Sequence, residues 1–180
     1  MLHKNQAASE EAARKIKLLV LDVDGVLTDC GLYYDASGQC MKRFNAMDGL
    51  GIKDIADYGI QTAVITGLAS EAVRARMKDL RITLYVEGET RKVPPLDEFR
   101  KKCGIDWSEI AYIGDDWVDL APMAKVGFPV AVANAMPEVK DAAMAVTELS
   151  GGNGAVREAI CFMLRAQGKL EALLEFWKGQ

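Results

Sequence analysis

Short apolar runs alternate with amphipathic stretches along most of this chain. Six runs read as strands: Lys17–Asp22, Thr62–Thr66, Thr83–Val86, Ile110–Gly114, Pro129–Val132 and Ala145–Thr147. Between them, apolar positions recur at helical spacing over Leu50–Tyr58, Ser70–Leu80, Arg91–Lys102, Trp117–Val126 and Pro137–Ala143. A last helix is expected from Gly154 to the end, with a break at Gly168. The Gly151-Gly-Asn-Gly154 run before it reads as a flexible, cap-like start. This alternation predicts βαβ units and a parallel sheet, the α/β class. One stretch departs from it. Gly31 to Asn45 has aromatic-rich flanks around Asp35-Ala-Ser-Gly38, which predicts a β-hairpin projecting from the end of the first strand. Residues 1–15 are polar and rich in alanine and glutamate, so they read as a leader ahead of one domain over residues 16–180 with a helical tail.

The polar residues that matter lie where apolar runs end. Ile16 to Leu21 runs into Asp22-Val-Asp24-Gly25, the pattern of a buried parallel strand delivering carboxylates to its carboxyl end. Alternation sends Asp22 and Asp24 to one face, and carboxylates held so close repel unless a cation joins them or one stays protonated. Ala63-Val-Ile-Thr66-Gly67 ends the next strand in a hydroxyl and a glycine. Lys92 opens a helix after the third strand, and Ala111-Tyr-Ile-Gly-Asp115-Asp116 closes the fourth in a second acidic pair, with Asp119 one turn beyond. In a parallel sheet these ends share one edge, which gathers Asp22, Asp24, Thr66, Lys92, Asp115 and Asp116 in one pocket. Phosphoryl transfer needs that set: a carboxylate nucleophile, Mg²⁺ on hard oxygens of Asp22 and Asp115, Thr66 and Lys92 on the phosphoryl oxygens, and Asp24 as acid and base.

Composition removes competing classes. Half of the 180 residues are hydrophobic and 27% are charged, as in a soluble globular protein. A net charge of −4 with no basic stripe argues against nucleic acid as a partner, and no apolar run is long enough to span a bilayer. The four cysteines have no Cys-x-x-Cys spacing, which suits reduced thiols, and cytoplasm is the default location. His3 is the single histidine and lies in the leader, so a histidine base is excluded from the chemistry.

Asp22-Val-Asp24-Gly, Thr66-Gly67, Lys92 and Gly114-Asp115-Asp116 with Asp119 occur in this order, and here the chain resembles the haloacid dehalogenase superfamily of phosphatases. The resemblance implies a Rossmann-like parallel sheet with helices on both faces, and Mg²⁺ bound by Asp22, the main-chain carbonyl of Asp24, and Asp115, with Asp116 and Asp119 supporting. Phe44-Asn-Ala-Met-Asp48-Gly, the hairpin and Gly151-Gly-Asn-Gly-Ala-Val-Arg157-Glu narrow it to the cap-less subgroup acting on sugar-acid phosphates. That implies 3-deoxy-D-manno-octulosonate 8-phosphate as the substrate, within lipopolysaccharide precursor synthesis, and a nonulosonate 9-phosphate as the alternative. It also implies a homotetramer in which hairpins and C-terminal segments close neighbouring sites. Asn45, Asp48, Gly67, Arg91 and Arg157 are the candidate substrate contacts. The subgroup usually carries arginine where this chain has Leu68 and Met47, and Arg91 is the candidate compensating cation.

The spacing supports a cap-less enzyme independently. Asp22 to Thr66 is 44 positions and Thr66 to Lys92 only 26, too few for a separate cap once the hairpin and core elements are subtracted. A two-component receiver domain places threonine and lysine after its phosphorylated aspartate, whereas here both precede the second acidic pair. A non-catalytic oligomerisation module does not require every catalytic position to be filled, and a phosphomutase needs a cap.

Overall fold

The computed structural model describes residues 1–180. Seven strands form one sheet: β1 (Leu2–His3), β2 (Leu18–Leu21), β5 (Gln61–Ile65), β6 (Leu84–Val86), β7 (Ile110–Gly114), β8 (Phe128–Ala131) and β9 (Ala145–Val146). Their order is β1-β9-β8-β7-β2-β5-β6. All neighbours are parallel except β1, which pairs antiparallel with β9 at the edge. β2 lies at the centre, paired with β5 on one side and β7 on the other, and every one of its residues is buried. A strand covered on both faces has no polar face, which is why Leu18-Leu-Val-Leu21 shows no alternation.

The helices are α1 (Gln6–Arg14), α2 (Ala46–Asp57), α3 (Glu71–Asp79), α4 (Val93–Cys103), α5 (Leu120–Met123), α6 (Pro137–Ala142), α7 (Ala155–Ala166) and α8 (Leu170–Lys178). α7 packs against α1, α2 and α8, while α5 packs against α4 and α6, so the sheet is doubly wound. Ends follow local chemistry: Asn45 accepts hydrogen bonds from the Met47 and Asp48 amides to cap α2, and Gly104 closes α4 in the left-handed conformation.

Three features differ from the pattern reading. Residues 1–15 are built into the fold: β1 pairs with β9, Asn5 caps α1, and His3 stacks on Phe162 with ring centroids 4.5 Å apart. A two-residue edge strand is too short to show periodicity, and α1 exposes nearly all of its polar residues while burying only Ser9 and Ala13. The helix expected over Trp117–Val126 is a 3₁₀ turn at Trp117–Asp119 followed by the short α5, because Asp116 and Asp119 close a capping box there. Gly151-Gly-Asn-Gly154 is a packed junction and not a loose cap. A Cβ at Gly151 would stand 1.7 Å from the Gly25 carbonyl oxygen, and one at Gly152 would stand 2.5 Å from the Asp29 nitrogen.

The hairpin forms where expected, from β3 (Tyr33–Tyr34) and β4 (Cys40–Met41). Asp35 organises its turn by accepting from the Ser37 and Gln39 amides and the Ser37 hydroxyl. Its root is tied to the core by a bridge between Thr28 and Phe44 and by an ion pair from Arg43 to Asp29, 2.8 Å.

Candidate active site

β2, β5 and β7 end side by side, and each delivers a polar residue to the same edge: Asp22, Thr66 and Asp115. Lys92 enters from the N-terminus of α4. All four are buried, as is Asp119. Burying this much charge is costly unless the groups satisfy one another. The Lys92 ammonium lies 3.0 Å from Asp22 Oδ1 and 2.7 Å from Asp119 Oδ1. Asp119 is the hub behind them. Its Oδ1 also accepts from the Tyr112 hydroxyl at 2.7 Å, and its Oδ2 accepts from the Asp115 and Asp116 amides at 2.9 and 3.3 Å.

The Asp22 carboxylate is asymmetric. Oδ1 accepts from the Val23 amide at 2.7 Å and from Lys92, which leaves Oδ2 without a protein donor. Burial first, and then the Asp119 charge, push the Asp22 carboxyl up to about 7 against the opposing pull of Lys92. Burial and the charges of Asp22, Asp119 and Asp116 push Asp115 up to about 8. Burial alone would lower the Lys92 ammonium, but the charges of Asp22 and Asp119 outweigh it and the net shift is upward.

Two of the protein's buried oxygens without a partner lie at this sheet edge: Asp115 Oδ1 and Thr66 Oγ1. Orphaned polar atoms of this kind are rare in folded proteins, so two at one sheet edge mark places for a ligand. Asp22, Asp115 and Asp119 each offer an oxygen, all lying within 4.8 Å of one another. Asp119 has both oxygens taken by four donors, whereas Asp115 has one free, and no main-chain amide donates to the Asp24 carbonyl. Hard oxygens from Asp22 and the free oxygen of Asp115, within 4.8 Å of one another, fit Mg²⁺. The approach depends on Gly25 (φ +88°), where a Cβ would meet Asp115 Oδ2 at 1.9 Å.

The other residues singled out in the sequence have partners of their own. Asp48 is 1% exposed, and its oxygens accept from the Gly154 and Arg157 amides at 3.2 and 2.8 Å. It latches the Gly-rich junction to α2 and has no surface left for a substrate. Arg157 lies over Gly51 of α2 with its guanidinium 3.9 Å from Asp54, and its Nη1 is buried with no hydrogen-bond partner. Asn45 caps α2 and donates to the Gly152 carbonyl at 3.3 Å. Arg91 points to solvent beside Glu89, with its side chain 88% exposed. Gly67 is half-buried after Thr66, and Asp116 is exposed and caps the 3₁₀ turn through the Trp117 amide. Met47 and Leu68 are both more than half exposed.

The sequence reading passed over Lys42 and Tyr112. Lys42 comes in from the hairpin with its side chain 1% exposed and its ammonium 2.5 and 2.7 Å from the two oxygens of Asp24. It also lines a cavity of about 550 Å³ between the hairpin and the loop after β5, together with Leu32, Tyr34, Leu68 and Ser70. Tyr112, an apolar-run residue by pattern, lends its hydroxyl to Asp119.

A doubly wound sheet that presents an aspartate at its central strand end, a clamp of threonine and buried lysine, and a second acidic strand end defines a phosphoryl-transfer hydrolase. Residues 82–160 match the family model described as haloacid dehalogenase-like hydrolase. The chain is 44% identical over 160 residues to the 3-deoxy-D-manno-octulosonate 8-phosphate phosphatase of Haemophilus influenzae, covering 89% of each chain. It therefore belongs to the haloacid dehalogenase superfamily. Among solved structures it resembles the 3-deoxy-D-manno-octulosonate 8-phosphate phosphatase of Moraxella catarrhalis in complex with magnesium ion, phosphate ion and KDO. That match has a TM-score of 0.93 at 36% identity and covers 96% of this chain and 99% of the other. The cobalt-bound Haemophilus influenzae phosphatase gives a TM-score of 0.86 at 43% identity, covering 89% and 94%.

Proposed function

We infer that this chain is a Mg²⁺-dependent phosphomonoesterase that hydrolyses 3-deoxy-D-manno-octulosonate 8-phosphate. The observation that carries the chemistry is the meeting of Asp22, Lys92, and the unpartnered oxygens of Thr66 and Asp115 at one sheet edge. Similarity along nearly the whole chain to phosphatases of that sugar acid supports the substrate.

In this reading Asp22 is the nucleophile. Lys92 and the Val23 amide hold Oδ1, so Oδ2 is free to attack phosphorus, break its bond to the sugar oxygen and form an aspartyl-phosphate. Thr66 donates its free hydroxyl, and Lys92 its charge, to phosphoryl oxygens, where negative charge spreads as the bond breaks. Asp24 gives a proton to the leaving sugar oxygen and takes one from the water that later hydrolyses the aspartyl-phosphate. Asp119 and Tyr112 keep Lys92 in place. When bound to Asp22, Asp115 and the Asp24 carbonyl, Mg²⁺ offsets the repulsion among carboxylates and phosphoryl oxygens and favours their ionised forms.

The protein has no separate cap over this edge. Leu32, Tyr33, Tyr34 and Met41 on the hairpin are all at least 46% exposed, which supports a homotetramer whose subunits close one another's sites. No helix is long and apolar enough to cross a membrane, and the four free cysteines suit a reducing cytoplasm. The test is phosphate release with Mg²⁺ over a panel of sugar-acid and neutral sugar phosphates, with mass measured by light scattering. A strong preference for the octulosonate phosphate is expected, with a particle four chains in mass. Preference for a neutral sugar phosphate would overturn the substrate.

A further inference from the structure

We propose that Lys42 is a positioning residue for proton transfer: from the hairpin it holds both oxygens of Asp24, aiming that carboxylate at the leaving group. The proposal rests on the phosphatase reading above and deepens it.

Lysine heads ordinarily stay in water while their stems lie on apolar surface. Lys42 does the reverse. It follows a hairpin whose strands are largely exposed, yet its side chain is 1% exposed and its ammonium contacts both Asp24 oxygens, at 2.5 and 2.7 Å. Fixing a lysine and stripping its water is unfavourable, and a buried ion pair is weak support for a fold. Stability alone gives no reason to build the pair there. The hairpin is already moored without it, by the Thr28–Phe44 bridge and by Arg43, which donates to Asp29 at 2.8 Å and to Asn153 at 2.6 Å.

Asp24 needs such a partner. It sits two residues from Asp22, on the turn that Gly25 allows, with its side chain 19% exposed. Besides Lys42, no protein group donates to its carboxylate. Left alone, this part-exposed carboxylate is free to turn to solvent, where it is lost to the leaving oxygen. Lys42 ties it to the hairpin instead, and Lys42 itself lines the cavity between the hairpin and the loop after β5. Docking of the hairpin root is thereby part of the catalytic geometry.

The experiment uses two simple esters that carry no sugar for Lys42 to recognise. Phenyl phosphate has a poor leaving group that needs a proton; 4-nitrophenyl phosphate has a good one that does not. For Lys42→Met, kcat/KM on phenyl phosphate is expected to fall by about 10-fold or more, the scale of a displaced general acid, with less than about a threefold fall on 4-nitrophenyl phosphate. Lys42→Arg should restore the phenyl phosphate value to within about threefold. Lys42→Gln repeats the test should the Met variant lose its fold by circular dichroism. Equal losses on both esters, or no loss on either, would overturn the proposal. Wild-type protein that hydrolyses no phosphomonoester would overturn the phosphatase reading and this proposal together, an outcome visible before any variant is made.

Discussion

Loading the site with Mg²⁺ near neutral pH is expected to expel protons. Burial, and then neighbouring carboxylate charge, hold Asp22 at about 7 and Asp115 at about 8. At pH 7 these values leave the pair holding on the order of one proton per site. A hard cation binds the ionised carboxylates, so those protons must leave. At pH 9 both groups lie above their values and are largely ionised, so release should collapse between pH 7 and 9 while apparent affinity rises. Calorimetric titration with Mg²⁺ in two buffers of different ionisation enthalpy reads the number directly. The stability consequence has a defined sign. Both groups are raised above their unfolded value of 3.8, so what they contribute to the metal-free protein is whole below about pH 4 and is lost as pH rises through 7 and 8. Between pH 6 and 9 the metal-free protein should therefore lose melting temperature relative to Asp115→Asn, and Mg²⁺ should restore more at the alkaline end. Release of less than about 0.3 proton at pH 7 would show that Lys92 alone keeps both carboxylates ionised.

Replacing Asp22 with Asn should lower turnover by at least about a thousandfold, or ~4 kcal/mol of barrier, with the melting temperature retained; appreciable residual activity would reassign the nucleophile. Lys92→Met leaves Asp22 and Asp119 buried without their counter-charge, which should cost about 3–5 kcal/mol. For a chain of this size that is a melting-temperature loss of roughly 6–20 °C by calorimetry, and an unchanged value would mean that the ion pairs contribute nothing. Gly151→Ala drives a Cβ into the Gly25 carbonyl at 1.7 Å, backbone against backbone, and should destabilise the protein by about 1–3 kcal/mol in denaturant melts while weakening Mg²⁺ binding through the displaced Gly25 turn.

Much of this fold follows from local pattern. Fully buried strands must be continuously apolar, so Leu18–Leu21 and Ile110–Gly114 stand out against their polar flanks, and each ends where a carboxylate begins. β1 and α1 were not legible, because a two-residue strand has no period and α1 joins the core mainly through Ala13 and Ser9. The Gly-rich junction misled for a related reason. Glycine signals freedom in an isolated peptide, but here it marks close contact with a partner more than 100 positions away.

The same division runs through the site. Order and spacing alone bring Asp22, Thr66, Lys92 and Asp115 to one edge, since parallel strands of a doubly wound sheet must end together. What each neighbouring polar residue does is another matter. Asp48 and Arg157 serve the α2–α7 junction, Arg91 faces water, and Lys42 turns inward to Asp24, although all four are polar residues close to motif positions. Sequence determines such assignments only where the main chain itself carries the side chain to the site, as a strand end does. Where a flexible side chain can reach either water or a buried partner, the outcome depends on charges and surfaces brought from distant parts of the chain, and only the tertiary structure decides it.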